Sequence, residues 1–214
     1  MAYNQTTKVY SEIREKILKG EFKPSQPLIE MELATEFNVS RVTIKKALLM
    51  LKSESLVEMP ENRSARVRSF DIDEIVQFLD TRIVLEGFCA RLTAPVISDE
   101  AINSMENYLD EMARLYKSGK LMEYSETNKL FHKCVYDSCP NKVALNMIWE
   151  IRNQISRFNF KTILVQGRVD ESFLEHKAIL EAYREHDADK AYITTINHVT
   201  NLKNTLLKNY QLLF

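Results

Sequence analysis

Apolar positions in the first seventy residues recur first at helical spacing and then at strand spacing. In "TTKVYSEIREKILKGEF", Val9, Ile13 and Ile17 come every four residues, Tyr10 and Leu18 widen the stripe, and Gly20 stands where a helix stops. A proline-bracketed turn, "KPSQP", follows. The first half of "LIEMELATEFNVSRVTIKKALLMLKSESLV" predicts a short helix burying Leu33, Ala34 and Phe37. Asn38 takes a turn position suited to left-handed backbone, which asparagine tolerates better than most residues. Ser40 is placed to cap a second helix by accepting from the amide near Thr43, and that helix buries Ile44, Ala47, Leu48 and Leu51. "SLVEMPENRSARVRSF" then alternates enough for two strands around a polar turn at Pro60 to Ser64, a small β-wing.

From Asp71 onward the spacing is helical throughout. Asp71 is expected to cap a helix that buries Ile75, Phe78, Leu79, Ile83, Leu85 and Leu92 and ends near Pro95. Ser98 opens a second, carrying Ile102, Met105, Leu109 and Met112 to Gly119. A third runs through "LMEYSETNKLFHKCVYDS", and Asn141 caps a fourth, "KVALNMIWEIRNQISRFNF". A fifth contains "ESFLEHKAILEAYREH", and Asp187 or Asp189 begins the last, "ADKAYITTINHVTNLKNTLL". The expected fold class is mostly α: a winged helix-turn-helix with a small β-wing over residues 1–69, and an all-α helical bundle over 70–214.

Composition agrees with a helical protein, since only four glycines and five prolines occur in 214 residues. No apolar run approaches the roughly 18 residues that a membrane span needs, so a soluble, cytoplasmic protein is expected. Cys89, Cys134 and Cys139 form no CxxC pair and are expected as buried thiols. The overall charge of −1 hides an asymmetry: residues 1–69 hold twelve Lys/Arg against nine Asp/Glu, while the remainder holds seventeen against twenty-one. A mildly basic N-terminal segment suits a polyanion.

Double-stranded DNA is the polyanion that this pattern suits. Ser40, Arg41, Thr43, Lys45 and Lys46 lie in or beside the first turns of the second helix, and Arg63, Arg66 and Arg68 charge the wing. Arginine and lysine neutralise phosphates, which supplies most of the affinity for a duplex, and Thr43 suits a phosphate or a thymine methyl. This run resembles the winged helix-turn-helix of GntR-family transcription regulators over roughly residues 7 to 69. Gly20, Pro24, Leu33, Ala34, Val39, Ser40, Arg41, Ile44, Ala47, Leu48, Leu51, Leu56 and Val57 carry the resemblance. Ser25, Asn38 and Ser55 stand where the family usually has glycine, Ser64 replaces a wing-tip glycine, and Lys45 replaces the usual arginine.

All four histidines lie beyond residue 69. His186 sits in the charged turn "REHDADK" and reads as solvated, whereas His132, His176 and His198 fall within helices. Asn128 precedes His132 by one turn and shares its face, while Cys134 points away from it. Spacing alone does not bring three helices' histidines together. The stretches "TRIVLEGFCARLTA", "NKLFHKCVYDSCPN" and "EHKAILEAYREHDADKAYITTINHV" resemble the FCD ligand-binding domain of the FadR-type branch, nearest its VanR-like six-helix subgroup. That resemblance implies a divalent metal (Zn, Ni or Mn) on His132, His176 and His198, with Asn128 where metal-binding members have an acid. It also implies a small carboxylate effector beside the metal, with Arg82 as its partner. A structural ion pair of Arg82 with Glu86, one turn on, stands as the alternative reading of that arginine.

The resemblance implies a homodimeric, ligand-responsive repressor that binds a DNA operator, with no enzymatic activity. Two alternatives stay open at this point. One is a regulator that senses an acyl or organic acid without metal; the other is a three-histidine metalloenzyme, with Glu126 and Glu175 near the histidines in sequence.

Overall fold

The computed structural model describes residues 2–61 and 63–213, including the side chains of all of these except 2–4, 156–161 and 212–213. The chain divides into two compact units, Met1–Asp71 and Ile72–Phe214.

The first unit contains α1 (Ala2–Leu18), β1 (Pro27–Leu28), α2 (Glu30–Glu36), α3 (Arg41–Ser53), β2 (Val57–Glu58) and β3 (Ala65–Val67). The α1 stripe of Val9, Ile13 and Ile17 is buried against Leu33 of α2 and Ile44, Ala47, Leu48 and Leu51 of α3. Ala34 and Phe37 pack on this core but stay partly exposed. Ser40 Oγ accepts from the Thr43 amide at 3.1 Å, and Asn38 sits at φ 51, so the turn forms between α2 and α3 as the residue types require. Ser25 and Ser55 also hold left-handed backbone, at φ 62 and φ 56, where glycine would be unstrained. The sheet has three antiparallel strands, ordered β1-β3-β2, with Leu28 opposite Ala65 and Val57 opposite Val67. The alternating pattern predicts only β2 and β3. The two-residue β1 is too short to show a period, and its Pro27 suits an edge strand. The predicted wing turn includes Asn62, which lies outside the described residues.

The second unit is helical: α4 (Ile72–Thr93), α5 (Asp99–Lys117), α6 (Leu121–Ser138), α7 (Lys142–Ile163), α8 (Arg168–Arg184), α9 (Ala188–Lys208) and the single turn α10 (Tyr210–Leu213). Side chains cap three of the long helices. Ser98 accepts from Ala101 N at 3.3 Å, Asn141 from Ala144 N at 3.0 Å, and Asp187 from Lys190 N at 2.9 Å. The α5 stripe is buried as its spacing predicts. On α4 the outcome differs: Ile75 and Leu79 are buried, but Phe78, Ile83, Leu85 and Leu92 are only partly so. Arg82 and Glu86 take buried places instead, because they neutralise one another there.

Helix α4 packs on α9 and α7, α5 on α6 and α8, and α8 on α9. The α4–α9 approach depends on Gly87. A Cβ at that position would stand 2.5 Å from Ile196 Cγ2 and 2.9 Å from the Tyr192 ring. Glycine-to-alanine in a helix interior ordinarily gains about 1 kcal/mol of propensity. Here the overlap reverses the sign, so Gly87→Ala is expected to destabilise the protein by roughly 1–3 kcal/mol in urea melts.

Candidate functional site

Helices α6, α8 and α9 each deliver one histidine to a common point. His132, His176 and His198 are all buried, and one ring nitrogen from each lies within 4.8 Å of the others. His176 is fully buried, its Nδ1 2.5 Å from the Ser172 carbonyl oxygen. A carbonyl only accepts, so Nδ1 carries the proton and Nε2 of the neutral ring presents a lone pair. His198 Nδ1 lies 2.7 Å from Glu175 Oε2, which likewise leaves its Nε2 as the atom open to a ligand. His132 Nε2 faces His176 Nε2 at 3.1 Å. The Phe131 ring meets His176 edge-on at 4.9 Å and 86°, closing the apolar side of the cluster.

Electrostatics favour neutral imidazoles at His132 and His176. Burial lowers the pKa of His132 well below the usual histidine range, and the charges of His176 and Arg152 add to the effect. Burial also carries His176 down to about 3, assisted by His198. A divalent ion needs unprotonated imidazole nitrogens, so the donor set fits one. Asn128, one turn before His132, adds a second sign of fit: its Oδ1 is buried with no hydrogen-bond partner, and an amide oxygen is a competent neutral ligand.

Around the histidines lie groups that sequence spacing does not reveal. Glu175 accepts from Arg168 Nη1 and Nη2 at 3.0 and 2.8 Å and from Asn201 Nδ2 at 2.9 Å, besides facing His198. Burial works to raise the Glu175 pKa, but bonds to His198 and Arg168 outweigh it and hold it at about 2. Glu175 is thus held ionised and fixes the orientation of His198. Arg82 donates to Glu86 Oε1 at 2.7 Å, so the ion pair weighed from the sequence is present. Arg82 Nη1 is nevertheless buried and unpartnered, which keeps this side chain available to an anion. Burial tends to raise the Glu86 pKa as well, but Arg82 and Arg152 hold it at about 2. The Tyr136 ring stacks on His132 at 6.3 Å and 19°, and its phenol oxygen accepts from Arg152 Nη1 at 2.8 Å. An adjacent Glu–His pair in sequence is a faint signal for Glu175, but its partner His198 lies on another helix.

Cys134 stays out of the cluster, its thiol 3.5 Å from the Leu130 carbonyl, and Cys89 and Cys139 are buried. His186 is not simply solvated. It holds φ 50 at the end of α8 and donates from Nδ1 to the Ala94 carbonyl at 2.8 Å.

In the first unit, Ser40, Arg41, Lys45 and Lys46 are exposed on α3, Thr43 is half-exposed, and Arg63 and Arg66 are exposed on the wing. Arg41 lies 3.5 Å from Glu30, and Arg66 lies 2.7 Å from Glu58. Exposed pairs of this kind are worth about 0–1 kcal/mol, so phosphates displace them at little cost.

Residues 5–67 match the family described as bacterial regulatory proteins, gntR family, and residues 77–201 match the FCD domain. The chain belongs to the GntR family and carries an FCD domain. Its relatives within that family are regulators. A gluconate operon transcriptional repressor from Bacillus licheniformis is 29% identical over 174 residues, 81% of this chain and 70% of the relative. The galactonate operon transcriptional repressor of Escherichia coli is 24% identical, covering 89% of this chain and 92% of the relative. The fold is similar to that of E. coli McbR/YncC, with TM-score 0.80 at 16% identity over 96% of this chain and 98% of the other. These GntR and FCD matches point to transcription regulation and not to catalysis. Among the described residues, no helix is long and apolar enough to cross a membrane.

Protonation sets a pH dependence for the metal-free protein. An unfolded histidine titrates near 6.5, whereas His176 stays neutral in the fold down to about 3. Between those values the unfolded chain binds more protons, so stability falls as pH falls. Thermal melts from pH 7.5 to 5 are expected to lose stability, with a slope approaching about 1.4 kcal/mol per pH unit for each of His132 and His176 below pH 6.5. His176→Asn should flatten that slope.

Proposed function

We propose that this GntR-family chain is a ligand-responsive repressor that senses a small organic acid in its FCD domain through a divalent metal. The observation that carries this reading is the convergence of three imidazoles, with the unpartnered Asn128 Oδ1 one helical turn before His132. His132, His176, His198 and Asn128 would hold the ion, which would supply a positively charged, Lewis-acidic anchor for a carboxylate. Asn128 brings no charge, so the set is one unit more positive than one built with an acid. Arg82 Nη1 gives the acid a second, charge-assisted anchor. Two relatives are named for operons of organic acids, gluconate and galactonate, which supports this effector class.

The operator reading rests on the first unit. Helix α3 presents Ser40, Arg41, Thr43, Lys45 and Lys46 to duplex DNA, and Arg63 and Arg66 of the wing reach its backbone. Lys45 acts as a point charge on a phosphate, because an ammonium lacks the fork that reads guanine bidentately. A homodimer is the natural form for paired half-sites. Its support is apolar exposure on two neighbouring helices: Val84 and Phe88 on α4, and Val143 and Met147 on α7. Acid binding then shifts operator affinity with a coupling of about 1–3 kcal/mol, or roughly 5- to 150-fold. A cytoplasmic location follows from that role.

The 3.1 Å contact between His132 Nε2 and His176 Nε2 favours a second reading. It closes as an imidazole hydrogen bond without any cation, and the histidines would then meet the acid as neutral groups.

Metal titration of untagged protein, by calorimetry with Zn²⁺, Ni²⁺ and Mn²⁺, separates the two readings. One ion per chain is expected, bound more tightly by Asn128→Asp and lost in His176→Ala. Wild-type protein that takes up none of the three ions leaves the metal-independent reading. For DNA, Arg41→Ala and Lys46→Ala should each weaken operator binding in fluorescence anisotropy and lower the log–log salt slope by about 1. An unchanged slope in both variants would remove α3 from the interface.

A further inference from the structure

Arg82 and Arg152 both act on His132. Arg152 comes from α7 and shares the counter-charge of Arg82. Glu86 Oε1 accepts from Arg82 Nε at 2.7 Å and lies 3.4 Å from Arg152 Nη1. The side chains are enclosed, with relative exposures of 2% for Arg82 and Glu86 and 12% for Arg152. One carboxylate therefore serves two buried cations, and one positive charge is left over. Arg168 shows the contrast: it enters the same helical unit but is matched by Glu175 through two bonds.

The geometry says which arginine is less well matched. Arg152 has the longer contact to Glu86, and its short bond goes to a neutral phenol, Tyr136, at 2.8 Å. Its guanidinium also sits 5.2 Å from the centre of the Tyr136 ring. Arg82, for its part, keeps Nη1 buried and unpartnered. A buried cation without a counter-ion is disfavoured by lost hydration, and a single incoming anionic charge offsets that. Tyr136 stacks on His132, so this unmatched charge borders the histidine cluster.

We propose that Arg152 is a second acid-recognising side chain, and that the effector's carboxylate lies between Arg82 and Arg152. This rests on the acid-sensing reading above and sharpens it. The carboxylate takes the open Nη1 of Arg82 and supplies Arg152 with the charge it shares with Arg82 at Glu86. Arg82 belongs to α4 and Arg152 to α7, so the bound acid ties these two helices together. Both helices carry exposed apolar residues of the proposed dimer face. The ligand thereby acts on the helices that present that face.

Calorimetry and thermal shift on the untagged, full-length protein test this, with gluconate, galactonate, lactate and succinate as probes. Wild type is expected to bind at least one of the four. Arg152→Gln should bind that acid at least about tenfold more weakly, the scale of a charge-assisted bond. Arg152→Lys keeps the charge without the planar fork and should fall between them. Both variants should retain the metal content and far-UV circular dichroism of wild type. Affinity within twofold of wild type in Arg152→Gln overturns the role of Arg152 and leaves acid sensing intact. If Arg152→Gln does not fold, the same twofold criterion applies to Arg152→Lys. Absence of binding by wild type to all four acids overturns the acid-sensing reading itself, and this inference with it.

Discussion

Glu175 receives Arg168, Asn201 and His198 at once, and the histidine cluster depends on that contact set. Arg168 starts α8 and His198 lies within α9, so one half-buried carboxylate ties the head of one helix to the middle of the next. The bond to Nδ1 turns His198 so that Nε2 is the atom left for the cluster. The Ser172 carbonyl does the same for His176 within α8. These two bonds direct two of the three histidines, and His132 Nε2 meets His176 Nε2 at 3.1 Å. Metal-site histidines commonly have their second nitrogen held in this way.

The enclosure that directs the histidines also sets their chemistry. Burial keeps His132 and His176 unprotonated, while Glu86 and Glu175 stay ionised because arginines outweigh their desolvation. The result is a set of neutral nitrogen donors, with Arg82 and Arg152 sharing Glu86 nearby. Under the proposed reading, a carboxylate would gain from the arginine side directly and from the histidine side only through a bound cation, since lone pairs alone do not attract it. Asn128, being neutral, would leave such a cation's charge less compensated than an acid would.

Legibility in the sequence followed the range of the interactions. The α1, α3 and α5 stripes, the caps at Ser40, Ser98 and Asn141, and the turn at Asn38 are local, and the residue types alone predicted them. Strand β1 was not legible, because two residues have no period. The α4 stripe misled, since Arg82 and Glu86 look like surface residues until their mutual neutralisation is seen. At the site, His132, His176 and His198 were singled out by family resemblance and are brought together by the fold. Glu175 was legible only as a neighbour of His176 in sequence, and Tyr136 and Arg152 not at all, because each acts across helices 16 to 66 residues apart in sequence, between Arg152 and Tyr136 at one extreme and Arg152 and Glu86 at the other.

The central claim is that this cluster binds a metal ion and is more than an apolar core with three histidines in it. Anomalous diffraction at the zinc edge, from crystals of untagged protein grown with Zn²⁺, addresses it most directly. A single peak per chain at the meeting point of His132, His176 and His198, adjoining Asn128 Oδ1, is the predicted result. No peak there, with His132 and His176 still hydrogen-bonded to each other, would contradict the account.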